Sequence, residues 1–158
     1  MSVPCHRGKN QQDNYVDLVE ALLRPETDEE RQKRALASRF LVERVFAGLA
    51  NLNTGFDGAS IVHVSPEDFC TVIDRCQNLQ VAFFGIEAFS TDVEPPWKVA
   101  FLEVEISPGQ GYEWARDMVR RYKGRLDVTI CATYDVPDIL LNSMEDARGS
   151  ANEGRSPS

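Results

Sequence analysis

Residues 59–136 use one local pattern twice. A short apolar strand leads into a capped amphipathic helix and a second strand, and then strand, helix and strand follow again. Strands are expected at 60–64, 81–89, 98–106 and 126–134. The first helix opens at Ser65, where Pro66, Glu67 and Asp68 supply a first-turn proline and acids that suit the positive end of the helix dipole. It should bury Phe69, Val72, Ile73 and Cys76. The second runs from about 111 to 122 with Trp114, Ala115, Met118, Val119 and Tyr122 apolar, and Gly124 is placed to stop it. Residues 91–96 make a hairpin-length loop. The order reads β-α-β-β-α-β, an α+β, ferredoxin-like (split βαβ) sheet with helices on one face.

The flanks differ in kind. Residues 1–13 are expected to be a disordered arm and 14–52 a helical extension. Within that extension Asn14 caps a short helix with apolar face Tyr15, Leu18, Val19 and Leu22, ended by Pro25. Thr27 and Glu30 form a capping box for a stronger helix. Its stripe is Leu36, Phe40, Leu41, Val42, Val45, Phe46 and Leu49. The turn-rich NLNTGFDG, residues 51–58, marks a boundary before the α+β domain, 59–141. The tail, 145–158, is Gly, Ser, Asn and charge, and reads as disordered.

Charge narrows the function classes. The chain of 158 residues carries a net charge of −8. Residues 59–140 hold 13 acids against 7 bases, so the excess sits on the α/β unit. Nucleic acid and anionic membranes both require a basic footprint, and neither is an expected partner. No run approaches a membrane span and the N-terminus has no apolar signal core, so the expected location is the cytoplasm. The four cysteines, Cys5, Cys70, Cys76 and Cys131, form no CxxC and read as buried reduced thiols.

Alternation along the strands assigns faces. In the third strand Ala100, Leu102, Val104 and Ile106 are expected to meet the helices, and in the fourth Leu126, Val128, Ile130 and Ala132. The second strand is apolar on both sides; one holds Ala82, Phe84, Ile86 and Ala88, the other Val81, Phe83, Gly85, Glu87 and Phe89. With Glu87 outward, the outer face combines Glu87, Glu103, Glu105 and Asp127 with Phe83, Phe89, Trp97 and Phe101. RNA-binding sheets also carry aromatics, but among lysines and arginines. Here the sign is reversed, and the fitting partner is a basic protein. The competing expectation is that the Thr27 helix lies across these aromatics and leaves the glutamates as a solvated rim.

Catalytic signals are sparse. Glu87, Glu103 and Glu105 have oxygen donors for a divalent ion, yet E-x-E is ordinary on a solvated strand, and no metal or cofactor is expected. His63, alone in the first strand, reads as a hydrogen-bonded structural residue. SPGQG, residues 107–111, lacks a phosphate-loop pattern and reads as a turn into a helix.

One stretch, FCTVIDRCQNLQVAFFGIEAF at 69–89, resembles the helix-then-strand signature of bacteriocin immunity proteins, in particular those that protect producers from colicin-type tRNases. In that group a helix leads into an apolar strand ending in Gly-Ile-Asp or Gly-Ile-Glu, here Gly85-Ile86-Glu87. The helix and strand at about 112–134 also fit, so the resemblance covers about half of the chain. It implies an acidic protein that occupies a toxin's RNA-binding cleft.

The leading expectation is therefore a non-enzymatic, acidic inhibitor or immunity-type protein that blocks a basic, nuclease-like partner. Its site would be Glu87, Glu103, Glu105 and Asp127 with Trp97 and Phe101 as aromatic anchors. Two other classes stay open. One is a small-ligand regulatory or enzymatic ferredoxin-like domain with a pocket between the sheet and the Thr27 helix. The other is a structural oligomer subunit that meets its own copy through apolar surface.

Overall fold

A computed structural model describes Glu20 and residues 22–153. The elements are α1 (Asp28–Arg44), α2 (Pro66–Leu79), β1 (Ala82–Ser90), β2 (Ala100–Ile106), α3 (Glu113–Arg120), β3 (Val128–Asp135) and α4 (Asp138–Glu153). The chain divides into two compact units, Met1–Lys33 and Arg34–Ser158, with the boundary inside α1. None of the described helices is long and apolar enough to cross a membrane.

In the first unit the capping box forms as expected. Glu30 N donates to Thr27 Oγ1 at 3.1 Å, and Thr27 N donates to Glu30 Oε2 at 2.9 Å. Two orphan donors at the helix start are thereby satisfied reciprocally. Leu22, expected on an apolar face, is 76% exposed. Tyr15, Leu18, Val19 and the arm 1–13 lie outside the described residues.

The second unit is α+β, built on an antiparallel sheet of three strands in the order β2-β1-β3. The first expected strand, 60–64, does not form. It contributes one antiparallel bridge, Val64 to Ile130. The reason lies in two asparagines. Ile61 O accepts from Asn53 Nδ2, and His63 N donates to Asn51 Oδ1. His63 O is taken by Leu52 N. Backbone groups that would make a ladder are already satisfied, so only Val64 is left to pair.

Helices α2 and α3 cover one face of the sheet. Ser65 caps α2, its Oγ accepting from Asp68 N at 3.1 Å. Phe69, Val72, Ile73 and Cys76 are buried as expected, and Ala115, Met118 and Val119 join them from α3. The sheet supplies Phe83, Ile86, Ala88, Val128 and Ile130. Tyr112 Oη donates to Val81 O at 2.9 Å and ties the start of α3 to the start of β1.

Two expected face assignments reverse. A bulge between Phe83 and Gly85 inserts one residue against β3. It changes the phase of β1, so Phe83 is buried while Phe84 is 56% exposed. In β2, Ala88 pairs with Glu103 and Ile86 with Glu105. Paired residues share a face, so the two glutamates lie on the helix side. Val104 and Ile106, expected inward, are exposed, as is Leu102. Leu126, also expected inward, is fully exposed because β3 begins only at Val128.

The ends of the second unit add two corrections. The Thr27 helix does not lie over the outer aromatics. Its last turn docks on α2, where Arg75 Nη1 donates to the carbonyls of Val45 and Ala47 at 2.7 and 2.8 Å. Phe40 and Val45 are buried there, and Phe46 meets the Tyr134 ring edge-on at 5.6 Å. The tail expected to be unstructured is helical through Glu153. Leu140, Leu141 and Met144 recur at helical spacing, and Leu141 is buried in the core cluster. That stripe precedes the segment read as a tail, and residues 145–153 continue the helix that it starts.

Candidate functional site

The residues expected to form a partner site are divided by the fold. Glu103 and Glu105 share one cation. Arg121 Nη2 donates to Glu103 Oε1 at 3.1 Å and to Glu105 Oε1 at 2.8 Å. Tyr122 Oη adds a 2.5 Å bond to Glu103 Oε1. That hydroxyl, and then Arg121, hold the Glu103 carboxyl below its ordinary value. Asp127 accepts from Arg125 Nη2 at 2.7 Å and Ser90 Oγ at 3.0 Å, and the arginine, followed by the serine, lowers it. All three carboxylates are engaged within their own chain, with two arginines offsetting two of the three charges.

The rest of the set does reach the outer face or its rim. Phe101 is 56% exposed and packs edge-on against Phe89 at 5.7 Å. Ile106, Val104 and Phe101 pair with Gly85, Glu87 and Phe89 in that order, so one row of apolar side chains runs along edge strand β2. A Cβ at Gly85 would press on the Glu105 carbonyl oxygen at 3.3 Å and meet Ile106 Cδ1 in ordinary contact at 3.5 Å. Trp97, in the loop before β2, is 74% exposed. Glu87 is exposed on the same face and has no basic partner among the described residues.

The β3 half of the outer face is sealed instead by the 51–64 segment. Asn53 organises that segment: its Nδ2 donates to Gly58 O and Ile61 O, and its Oδ1 accepts from Gly55 N and Asp57 N. The fold of the loop carries His63 into a fully buried position between Phe56 and Phe89. His63 Nε2 donates to Asp57 Oδ2 at 2.7 Å, and Nδ1 lies 3.1 Å from Thr129 Oγ1. The histidine bond is the main cause that lowers the Asp57 carboxyl. Beside them Cys131 Sγ donates to Glu87 Oε2 at 3.7 Å. Burial, and then the negative charges of Glu87 and Asp57, push the Cys131 thiol up to about 12.

This Asp-His-Thr and Cys-Glu grouping is what sequence reasoning missed. His63 is hydrogen-bonded, as expected, but its acidic and thiol neighbours come from the loop, β1 and β3. An acid-histidine-hydroxyl chain is also the order of a nucleophilic triad. Thr129 is only 3% exposed, so a substrate has no approach to its hydroxyl. Of the cysteines, Cys76 and Cys131 are buried and Cys70 is exposed, all as free thiols, and Cys5 lies outside the described residues.

An open groove of about 550 Å³ separates α1 from β3, lined by Leu41, Val42, Phe46, Ile61, Val62 and Tyr134 among others. It stands where the ligand-binding alternative requires a pocket. The charged groups at its rim, Arg39 and Glu43, are bonded to each other at 2.8 Å. Ser38, Asn51, Ser60 and Thr133 also line it, and the Tyr134 hydroxyl is buried without a hydrogen-bond partner among the described residues.

No family model matches the chain, and neither a curated protein nor a solved structure matches it.

Proposed function

We propose that the protein is a non-enzymatic binding module that docks a basic protein partner on the open half of its outer sheet face. The observation that carries this reading is the apolar row on β2. Phe101, Val104 and Ile106 are 56%, 46% and 71% exposed, and Phe84, 56% exposed, extends the patch. Contiguous apolar surface on an edge strand is a ready template for association. Trp97 supplies an aromatic anchor beside it, a residue type enriched at interface hot spots.

The net charge of −8 sets the sign of the partner's flanks. Pairing two copies would double that charge, which disfavours self-association and favours a basic partner. The likeness of residues 69–89 to immunity proteins supports the same class, an inhibitor that occupies a basic, nuclease-like cleft. Within that class the anchoring role moves from Glu103, Glu105 and Asp127 to Trp97, Phe101, Val104 and Ile106, with Glu87 as the carboxylate still available.

The test compares the wild-type chain with Phe101→Arg/Ile106→Arg in capture from host lysate at low and high salt. Both positions are exposed, so folding is retained and circular dichroism verifies it. A basic protein held by wild type and weakened at least about 10-fold in the variant supports the site, since loss of one hot-spot anchor commonly costs 2 kcal/mol or more. Equal capture by both proteins removes β2 from the interface. A concentration-dependent mass with no captured protein turns the reading to the oligomer class.

A further inference from the structure

The sealed half of the outer face carries a second feature, which borders the docking surface at Glu87. Asp57, His63 and Cys131 each offer a donor atom, and these atoms lie within 4.8 Å of one another. Glu87 stands outside that group, its Oε2 3.7 Å from Cys131 Sγ, and its exposed carboxylate joins the other three donors only by a side-chain rotation. We propose that Asp57, His63, Cys131 and Glu87 form a binding site for a divalent ion of the zinc class, which clips the 51–64 segment to β1 and β3.

The donor set fits that ion and few others. One thiolate, one imidazole and two carboxylates make a mixed S, N, O set suited to a borderline ion in tetrahedral geometry. Hard ions such as calcium and magnesium prefer oxygen alone. With metal–ligand bonds of about 2.0–2.3 Å, tetrahedral donors stand roughly 3.3–3.8 Å apart. The 2.7 Å contact between His63 and Asp57 has to open slightly, and the Cys131 side has to close by about 1 Å.

The surroundings suit the exchange. With one proton on the ring, Nε2–H donates to Asp57 and Nδ1 accepts from the Thr129 hydroxyl. A metal on Nε2 displaces that proton, and the proton on the ring then moves to Nδ1. Thr129 Oγ1 can accept as readily as it donates, so it holds either tautomer without moving. Binding also replaces the Cys131 thiol proton with a metal–sulfur bond, so one ion releases one proton to solvent as it enters. Access exists although His63 and Cys131 are buried, because the Asp57 side chain is 31% exposed and Glu87 is exposed.

The ligands come from three segments, two from the loop and one from each of two strands. An ion held by all four has no open position, which is the pattern of a structural rather than a catalytic centre. Its effect would be on the stability of the loop against the sheet.

Cobalt(II) is the probe, added to the full chain carrying Cys5→Ser and Cys70→Ser so that the exposed thiol and the N-terminal thiol contribute nothing. The expected result is one bound equivalent with a sulfur-to-cobalt charge-transfer band. Zinc should displace the cobalt and raise the melting temperature, and a chelator should reverse that rise. Asp57→Asn and Glu87→Gln, both at solvent-reaching positions, should retain the fold and lose the stoichiometric complex. Thr129→Val should weaken it about 10–100-fold, the usual cost of an outer-shell partner. Absence of the band in the Cys5→Ser/Cys70→Ser protein overturns the site, and so does a band of unchanged strength in both carboxylate variants.

Discussion

Glu103 stands opposite Ala88 across the β1–β2 pair, on the face that the helices cover. That relationship takes the carboxylate out of the partner surface and places it within reach of Arg121 and Tyr122 at the end of α3. Charge that looks free for an outside cation is committed to the domain's own edge.

Glu103→Lys should therefore act on stability before it acts on binding. It removes the Tyr122 and Arg121 bonds and sets a second cation beside the guanidinium. Arg121 is 46% exposed and Glu105 38%, so solvent screens the pair and the loss should be about 1 kcal/mol. Urea midpoints of wild type and variant measure it. An unchanged midpoint would show that the cluster contributes nothing.

Tyr122 makes the same cluster sensitive at both ends of the pH scale. Burial, with the hydrogen bond to Glu103 second, pushes its hydroxyl up to about 12. A raised acid favours the neutral form in the fold, so this stability is complete below the ordinary value of about 10 and falls as pH rises towards 12. Glu103 is held low, so its contribution is complete above the ordinary carboxylate value and falls as pH drops through its folded value. Tyr122→Phe should flatten both limbs of a melting-temperature profile. Limbs identical to those of wild type would place the titration elsewhere.

Phe69 lies at the centre of the core with 0% exposure and packs against Phe83 at 5.8 Å. Phe69→Ala should cost about 3–5 kcal/mol, enough to unfold many domains of this size. Chemical denaturation with near-ultraviolet circular dichroism is the readout, and a loss below about 1 kcal/mol would contradict this packing.

Leu141 tests the C-terminal helix. It is 3% exposed, with the partly buried Leu140 and Met144 beside it on the helix. Leu141→Ala should cost about 2–3 kcal/mol if α4 docks through this residue. Hydrogen exchange along 138–150 supplies the second reading. Fast exchange in wild type, together with a silent mutation, would return the segment to an unstructured tail.

What could be read from the chain follows where local rules act alone. Ser65-Pro66 announces α2 because cap, proline and acids all belong to one turn. Val128 and Ile130 keep their alternation because no irregularity lies between them. β1 escapes the same rule, since the bulge after Phe83 changes phase with only Gly85 as an outward sign. The 60–64 strand fails because Asn51 and Asn53, many residues earlier, claim its backbone groups. Asp57, His63, Glu87 and Cys131 span three segments, so no spacing connects them. The Asp57 and His63 pair, six residues apart across a turn, was the one local hint.

The Asn53 amide makes five of the hydrogen bonds inside the loop over the outer face. Asn53 presents a nitrogen to carbonyls on one side and an oxygen to backbone amides on the other, at 2.9 to 3.4 Å. Deamidation to aspartate changes almost no volume, yet it turns every donated contact into a carboxylate facing a carbonyl oxygen. An ageing reaction that leaves size and shape intact would thus release the segment that holds His63 against the sheet, and the damage would register first as protease cleavage within 51–64.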